Sequence, residues 1–577
     1  MQSKRLLSLA ALVGSFGLSA FLIILALSHA AFPIAFSIVA ALGGLYFYLQ
    51  YDRTGEQWKR LAQQRDYFER GIARLTDDWQ GNGVDGLDFA REGHLYQSDL
   101  NVLGKGSLFE LLCTTRSQVG AERLASYLLD SVGQEEATLR QEAVKELRDE
   151  TALREEIFRL GKYRLQDCSG ESFKDWLNLP RLAVPRAVSI LVLISSSATL
   201  LLGLGIFARI FLWSQWIPLL ALLVAIQLGV AGALLRKTRP QIAKLRLLAD
   251  ALPLLRHGVA LMQRQRFNSP KLSALVRRVS ARDASFQIRK VERLILAFDQ
   301  REKPQFLYLS MLLAAGTQLA LAVDRWRSQY QEDFIGWLDA WAEFEALNAL
   351  AGYAYEQPGC VFPELAEGAS TFEAKQLGHP LLPVDVCVGN DVLLNHRSRL
   401  YLVSGSNMAG KSTFLRAIGL NTVVALAGGP VRASSARLSC FTVCASLAIT
   451  DSLADGRSKF MAEVERIKNM IACTETGRPV LFLIDEILSG TNSEDRRIAA
   501  EAVVKALLTG GAVGALSIHD LALAEIADDT AGGVLVCMES SCADSPLKFD
   551  YRLKPGVARQ SSALAIVRMM GISVADD

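Results

Sequence analysis

Residues 400–414, LYLVSGSNMAGKSTF, form the stretch around which this 577-residue chain is organised. Its first four residues are an apolar run that suits a buried strand. A glycine-rich turn follows and leads directly into apolar residues at helical spacing over 412–427. The stretch therefore predicts a strand, a tight loop and a helix in immediate succession.

The loop between that strand and helix has the spacing of a phosphate-binding loop. Gly405 and Gly410 allow backbone N–H groups to turn inward around phosphates, and Lys411 can reach the β- and γ-oxygens. Ser412 offers a hydroxyl to Mg²⁺ at the positively polarised start of the helix. A bland glycine turn is the alternative, and the flanking strand and helix favour nucleotide binding instead.

The composition argues against a globally basic nucleic-acid binder, although it leaves room for a local basic patch. The 62 Lys and Arg residues nearly balance the 60 Asp and Glu residues, so the formal net charge is +2. The nine cysteines include no C-x-x-C pair and no metal-ligand spacing, which is typical of a reducing compartment. The mean hydropathy of +0.21 is raised by a few long apolar runs.

Two of these runs lie at the amino terminus, and each is long enough to cross a hydrocarbon core of about 30 Å. They cover residues 6–28 and 31–51, with only His29 and Ala30 between them. A signal peptide is the alternative, because Ser28-His29-Ala30 resembles a small-residue cleavage site. The second run follows at once, which favours a transmembrane hairpin over residues 1–51.

A second apolar pair covers residues 187–207 and 217–235. Lys and Arg residues flank both pairs on the sides that the positive-inside rule assigns to the cytoplasm. We therefore expect a multi-pass protein of the inner (cytoplasmic) membrane, in contact with the lipid bilayer and with its soluble domains in the cytoplasm. A fifth apolar stretch, residues 306–323, would place Lys411 outside the cell if it crossed, so we expect a buried core helix there.

The remaining sequence has a helical part and an α/β part. Residues 52–186 and 236–372 show amphipathic helical spacing, and we expect them to form one domain that the second hairpin splits. From residue 373 onward short apolar runs alternate with helical patterns, as in α/β nucleotide-binding domains. The strand candidates that follow the loop are residues 480–484, 513–518, 534–538 and 548–553.

Three ionisable residues stand at the ends of predicted strands downstream of the loop. Asp485 and Glu486 end the run VLFLIDE, where Asp485 can hold Mg²⁺ through water and Glu486 can orient or activate the attacking water. His519 ends the next strand, where a neutral imidazole could donate a hydrogen bond to the γ-phosphate. The alternatives are a solvated strand end for the acids and a structural role for the histidine.

Taken in order, these motifs resemble the ATPase domain of the MutS family of DNA mismatch-repair proteins. SGSNMAGKST resembles the family's phosphate loop, DSLADGRSKFMAE its signature segment, LIDEILSGTNSED its second acidic motif and SIHDLALAEIAD its histidine segment. The similarity covers nearly all of residues 373–572. A weaker similarity to the family's helical core and lever domain occurs at GSLFELLCTTRSQVGAERLASYLLD and EFEALNALAGYA.

The resemblance implies hydrolysis of ATP with Mg²⁺ as cofactor. The residues that it implies around the nucleotide are Gly405, Asn407, Gly410, Lys411, Ser412 and Thr413, with Ser412 and Asp485 for Mg²⁺ and with Lys411, Glu486 and His519 in hydrolysis. Ser458, in the segment GRSKF, would reach the nucleotide of the opposite subunit, which implies a homodimer. Near residues 386–390, where an adenine-stacking aromatic is expected, the chain has Cys387, and this puts the usual base contact in doubt.

The amino-terminal half departs from the family, because membrane spans stand in place of its mismatch-reading domain. The expected fold is multidomain, with α-helical membrane hairpins, an all-α lever and core domain, and a C-terminal α/β P-loop ATPase domain of the ABC type. The expected segments are a hairpin at 1–51, the start of the core and lever at 52–186, a second hairpin at 187–235, the rest of the core and lever at 236–372, and the ATPase domain at 373–577.

Three functions are compatible with these expectations. The first is a membrane-anchored ATPase whose dimeric clamp binds or senses DNA, with a relation to DNA repair. The second is a membrane-remodelling or transport ATPase that does not bind DNA; the near absence of ionisable residues in the spans argues against transport. The third is a scaffold with structural ATP, which Glu486 disfavours.

Two groups of basic residues bear on the choice between these functions. Those within residues 236–246 are expected at lipid headgroups, because they directly follow a span. A second group lies farther along the helices, where contact with DNA phosphates is equally compatible with its position; it comprises Arg264, Arg266, Arg277 and Arg278.

Overall fold

Helices make up most of the chain before residue 357, and the two sheets follow it. The structure is a computed structural model that describes residues 34–160, 170–182, 184–208, 210–301, 303–368, 370–447, 459–489, 492–519, 521–528, 530–539 and 549–558. By internal contacts the chain divides into two units, one of Met1–Thr76 with Ala152–Arg159 and one of Asp77–Thr151 with Leu160–Asp577. The predicted span at residues 6–28 lies outside the described residues.

The described α-helices are α1 (Ile34–Leu75), α2 (Leu108–Leu112), α3 (Gln118–Leu129), α4 (Gln134–Leu147), α5 (Thr151–Phe158), α6 (Gly170–Leu177), α7 (Arg186–Phe207), α8 (Trp213–Leu247), α9 (Leu252–Arg264), α10 (Pro270–Ser280), α11 (Ala284–Arg301), α12 (Pro304–Leu312), α13 (Ala315–Glu356), α14 (Lys411–Leu426), α15 (Lys459–Thr474), α16 (Ser493–Thr509) and α17 (Glu525–Asp528). The described strands are β1 (Glu364–Ala366), β2 (Phe372–Leu377), β3 (Asn390–Leu394), β4 (Leu400–Gly405), β5 (Ser435–Ser439), β6 (Thr442–Ser446), β7 (Val480–Asp485), β8 (Val513–Ile518), β9 (Gly533–Met538) and β10 (Lys554–Pro555).

The first unit is built on the 42-residue helix α1. The predicted span at 31–51 forms the beginning of this helix from Ile34, and the helix continues without a break into the polar sequence that follows. The polar part packs against α5: Gln64 Nε2 donates to Glu155 Oε1 at 2.9 Å, and the rings of Tyr67 and Phe158 are 5.3 Å apart. Apolar run and polar run are therefore one continuous helix.

Helix α13 organises the helical part of the second unit. It packs against α3 and α4, which precede residues 187–235, and against α10 and α11, which follow them. Trp341, Phe344 and Leu347 lie on its buried face. Helices from both sides of the apolar pair are thus packed on one central helix.

A buried carboxylate joins α13 to the start of α3. Glu345 is 1% exposed and accepts hydrogen bonds from the backbone N–H groups of Arg116 (2.7 Å) and Ser117 (3.2 Å). Ser117 is also the N-cap of α3, because its hydroxyl accepts from Gly120 N at 3.2 Å. Burial raises the pKa of Glu345 to about 7, and the hydrogen bonds from Ser117 and Arg116 offset part of that effect.

Two helical segments among the described residues are long and apolar enough to cross a bilayer, by length and composition. They are Arg186–Phe207, which is α7, and Ser214–Leu234 within α8, each with a mean hydropathy of 2.3. Only 6% of the second segment is buried, which is low for the core helix of a soluble protein. The two helices pack together, and the buried Gln227 donates to Thr199 Oγ1 at 3.1 Å.

The prediction of one core helix over residues 306–323 is wrong, because the structure has two helices there. Helix α12 ends at Leu312, and Ala314 adopts a left-handed conformation (φ +48°) before α13 begins. The break leaves helix-end carbonyls to be satisfied from elsewhere. Ser196 of α7 meets one of them, since its hydroxyl donates to Leu313 O at 2.9 Å.

The C-terminal part contains a six-stranded sheet in the order β10-β9-β4-β8-β7-β6 and a four-stranded sheet in the order β1-β5-β2-β3. In the larger sheet β9, β4, β8, β7 and β6 are parallel, so their carboxyl ends lie at one edge. Three of the four strand candidates coincide with β7, β8 and β9. The fourth, residues 548–553, is displaced: the antiparallel strand beside β9 is Lys554–Pro555.

Candidate functional site

The loop between β4 and α14 curls around the Lys411 side chain. Gly405 (φ +142°) and Gly410 (φ +96°) adopt backbone conformations that L-residues with a side chain rarely take. A Cβ at Gly405 would lie 2.2 Å from Met538 O, so glycine is required there on steric grounds as well. Lys411 is 1% exposed, and its Nζ donates to Gly405 O at 2.6 Å.

The ammonium group of Lys411 is held in a polar but poorly hydrated position. Burial lowers the pKa of Lys411, and the carboxylates of Glu486 and Asp485 oppose that shift. These two acids follow and end β7, at the edge of the sheet where β4 also ends. The structure therefore brings the loop cation and the acidic motif together, and their roles at a nucleotide stay a prediction.

Asp485 is fixed by two hydroxyl groups. Ser412, at the start of α14, donates to Asp485 Oδ2 at 2.5 Å, and Ser517 of β8 donates to Oδ1. Both serines reach Asp485 because β8 lies between β4 and β7. The sequence prediction included Ser412 and Asp485 but missed Ser517. A hydroxyl in the middle of the otherwise apolar strand VGALSI is the signal that would have identified it.

Glu486 adopts a left-handed backbone conformation (φ +51°), and Leu488, two residues later, does the same (φ +54°). Ser517 holds the first of these, because Glu486 N donates to Ser517 Oγ at 3.2 Å. The buried carboxylate of Glu463 on α15 holds the second, by accepting from Leu488 N at 2.6 Å. Such backbone conformations cost free energy and persist where the surroundings enforce them.

The other predicted site residues are distributed as follows. Asn407 begins a 3₁₀ turn over Asn407–Ala409 in the loop, and Thr413 is exposed in the first turn of α14. His519 directly follows β8 and has an exposed side chain. Ser458 lies outside the described residues, immediately before α15.

A cavity of about 420 Å³ adjoins the loop on the side of Gly410 and Thr413. Its wall includes Met408 and Tyr551. It also includes Cys387, which lies where an adenine-stacking aromatic residue is expected from the sequence. A Cβ at Gly410 would lie 3.1 Å from Tyr551 Cδ1, so the tyrosine ring stands directly beside the loop. The sequence prediction missed this aromatic residue, which is far along the chain from residues 386–390.

Asn390 attaches Tyr551 to the cavity wall. Its Nδ2 donates to Tyr551 O at 3.0 Å, and its Oδ1 accepts from Leu553 N at 2.7 Å. His379 also lines the cavity, and burial together with the charges of Arg416 and Arg432 lowers its pKa to about 4. This histidine is therefore neutral near pH 7 and adds no charge to the cavity.

The basic residues considered for DNA contact are partly engaged in ion pairs. Arg278 pairs with Asp339 at 3.2 Å, and Lys244 and Arg246 pair with Asp175 and Asp299 at 3.2 and 3.3 Å. These are partly exposed pairs, whose partners remain accessible to solvent.

Comparison with known proteins finds similarity in the C-terminal part. Residues 401–575 match the family described as MutS domain V. The chain is 30% identical over 234 residues to the DNA mismatch repair protein MutS of Aquifex pyrophilus, covering 40% of this chain and 27% of that protein. It is 32% identical over 202 residues to the Endonuclease MutS2 of Thermus thermophilus, covering 35% of this chain and 26% of that protein.

A third relative gives the longest of these matches. The chain is 29% identical over 285 residues to the DNA mismatch repair protein MutS of Brevibacillus brevis, covering 48% of this chain and 32% of that protein. In each case the match spans only about a quarter to a third of the relative's length.

Proposed function

We propose that this chain, whose residues 401–575 match MutS domain V, is a membrane-anchored ATP hydrolase of the MutS family whose dimer binds or senses DNA. The observation that carries the ATPase part is the convergence of Lys411, Ser412 and Asp485 at the end of the parallel strands. A buried cation and a hydroxyl at the start of a helix, with a carboxylate at the end of a nearby strand, are the groups that bind a nucleoside triphosphate with a divalent metal.

The donor set at Asp485 fits Mg²⁺. Ser412 and Asp485 supply hard oxygen donors, and among the described residues no group of three or more His, Cys, Asp or Glu side chains could hold a metal alone. Mg²⁺ commonly takes one or two protein oxygens and completes its coordination with water and phosphate oxygens. When bound, it would neutralise charge on the β- and γ-phosphates.

The chain's own residues would then have separate roles in ATP hydrolysis. Lys411 binds the phosphate oxygens, the loop N–H groups from Asn407 to Thr413 surround the triphosphate, and Glu486 accepts the proton of the attacking water or orients it. His519 would donate to the γ-phosphate. The cavity beside Tyr551 and Met408 would take the base, because its aromatic and thioether groups suit a flat π-system.

A homodimer is part of the proposal through Ser458. The signature segment that contains it resembles the part of MutS proteins that reaches the nucleotide of the opposite subunit. ATP would then lie between two subunits and stabilise their association, and hydrolysis would release it.

Membrane anchoring is supported by the apolar helices. Ser214–Leu234 is largely unburied, and large apolar side chains on α7 such as Ile194 and Leu201 are exposed. Exposed apolar surface of this extent requires a nonpolar solvent or a partner. Four spans, including residues 6–28 and 31–51, would keep the ATPase domain in the cytoplasm at the inner membrane.

The test is ATP hydrolysis by the full chain in nanodiscs, with and without homoduplex, mismatched and branched DNA. Glu486→Gln should lower turnover about a hundredfold, because it removes the group that activates water. Glu501→Gln, within helix α16 and outside the motifs, makes the same chemical change and is the matched control, which should leave turnover unchanged. Stimulation by one DNA form would support a clamp or sensor.

The second candidate is a membrane-remodelling ATPase that does not bind DNA. The packing of α7 against α13 favours it, together with the hydrogen bond from Ser196 of α7 to Leu313 in the break before α13, because these contacts join an apolar span to the central helix of the core. Turnover that is abolished by Glu486→Gln and indifferent to every DNA would select this candidate.

A further inference from the structure

A second cavity, of about 420 Å³, lies between α8 and the break that separates α12 from α13. One part of its wall is apolar and comes from the end of the apolar segment of α8, with Leu228, Ala231 and Leu234, and from Met311 of α12. It is separate from the nucleotide cavity, with which it shares no lining residue. Neither the sequence motifs nor the proposed ATPase reaction uses it.

The other part of the wall is basic. Arg239 and Arg246 of α8 and Arg301 of α11 line it, and none of the described lining residues is acidic. Arg246 also pairs with Asp299 at 3.3 Å, and the guanidinium of Arg301 lies 5.1 Å from the Phe298 ring. Three guanidinium groups therefore line this end of the cavity.

The backbone at the break makes room for this charge. A Cβ at Gly316 would lie 2.1 Å from Arg301 Nη1, so glycine allows the guanidinium to lie against α13. Thr238 and Thr317 add hydroxyl groups to the same wall. The cavity therefore has hydrogen-bond donors at one end and apolar groups at the other. This arrangement matches an amphiphilic ligand that has an anionic head and an apolar tail.

We propose that this cavity binds an anionic phospholipid, with its phosphate at Arg239, Arg246 and Arg301 and its acyl chains along Leu228, Ala231 and Leu234. Arginine suits phosphate because its planar donors can bind two oxygens at once. The position also fits, because Arg239 and Arg246 follow the Ser214–Leu234 segment on α8, where a span would leave the hydrocarbon and meet headgroups. This inference rests on the membrane anchoring in the proposed function and assigns a site to it.

The test compares lipids retained by the full chain after extraction from membranes of phosphatidylethanolamine and phosphatidylglycerol, quantified by mass spectrometry. The lipid retained by the wild-type protein should contain a higher fraction of phosphatidylglycerol than the membrane from which it was extracted. The double variant Arg239→Gln/Arg301→Gln should reduce that enrichment about thirtyfold, since each arginine near an anionic headgroup contributes about fivefold. Arg236→Gln/Arg293→Gln makes the same charge change on the same two helices outside the cavity and should retain it.

A second pair of variants changes shape without charge. Ala231→Phe fills the apolar wall and should abolish the enrichment, whereas Ala233→Phe, on an exposed position of the same helix, should not. Inorganic phosphate and glycerol phosphate, added as competitors, should leave the lipid bound; displacement by either would identify a soluble phosphate as the ligand and overturn the lipid assignment.

Equal losses in both double variants, or no enrichment in wild type, would also overturn the inference. Carbonate extraction of the membranes keeps the two failures apart. A chain released by carbonate contradicts the membrane anchoring itself, whereas a chain that stays inserted without lipid selectivity contradicts only the site.

Discussion

Asp99 forms a buried ion pair with Arg466, and this pair ties the segment before α2 to helix α15 of the ATPase domain. Asp99 is fully buried, and its Oδ1 accepts from the backbone N–H of Leu447 at 2.8 Å. Its carbonyl oxygen accepts from Arg416 Nε on α14 at 2.9 Å. One residue therefore contacts the helix of the phosphate loop, the helix after the signature segment, and the end of β6.

Asp99→Asn should destabilise this junction by about 3 kcal/mol, because it leaves Arg466 without its charged partner in a largely buried position. Hydrogen exchange of residues 442–447 and of α15 is the measurement, and both should exchange faster. Asp130→Asn removes the exposed pair with Arg91 and should change the free energy of unfolding by less than about 1 kcal/mol. Equal effects of the two substitutions would contradict the proposed role of Asp99.

Ser517→Ala should weaken Mg²⁺ binding about tenfold, because the Ser517 hydroxyl donates to Asp485 Oδ1 and orients this carboxylate. Groups that orient a metal ligand typically contribute about ten- to a hundredfold to metal affinity. The measurement is the Mg²⁺ concentration that gives half-maximal ATP hydrolysis. Ser434→Ala, which removes an exposed hydroxyl bonded to Lys375 O, is the control and should leave that concentration unchanged. An unchanged value for Ser517→Ala would mean that Ser412 suffices to hold the carboxylate.

Tyr551→Ala should raise the dissociation constant of ATP about tenfold if the ring stacks on the base, whereas Tyr551→Phe should have little effect. Calorimetric titration with ATP and with inorganic tripolyphosphate separates base from phosphate binding. Tripolyphosphate should bind Tyr551→Ala as it binds wild type. Tyr355→Ala, an exposed tyrosine at the end of α13, controls for loss of an aromatic residue. Parallel losses for both ligands would place the effect in the loop at Gly410.

Glu345 should make the protein less stable as the pH rises. Its pKa is about 7 in the folded chain and 4.5 as the reference value, so the folded state binds more protons between these values. Stability from this group is present below pH 4.5 and is lost as the pH rises through 7, by roughly 3 kcal/mol in all.

The measurement is the difference in unfolding free energy between Glu345→Gln and wild type at several pH values. Glu345→Gln should become more stable relative to wild type as the pH rises from 4.5 to 7. His379 has a lowered pKa and contributes the opposite slope, but it is present in both proteins and cancels in the difference. A difference that is independent of pH would contradict the prediction.

The sequence predicted those parts of the site that are local in the chain. The loop after β4 and the acids after β7 each combine an apolar strand with residues that directly follow it, so spacing alone identifies them. Ser517 and Tyr551 were missed because their roles depend on strand order and on the return of the chain to Gly410, neither of which leaves a periodic pattern. The break at Ala314 was missed because alanine in a left-handed conformation has no sequence signal.

The length and continuity of helix α13 allow it to connect two distant parts of the structure. Its 42 residues correspond to about 63 Å of uninterrupted helix. Its first turn adjoins the contact with α7. Toward its other end, Glu345 accepts hydrogen bonds from Arg116 and Ser117 just before α3, which packs against α14 of the phosphate loop. Because α13 is one continuous helix, a displacement at either end can be transmitted to the other end. In the proposed membrane-anchored arrangement, any effect of nucleotide binding on the end of α13 beside α7 is matched, by thermodynamic reciprocity, by an equal effect of bilayer thickness or tension on the affinity for nucleotide.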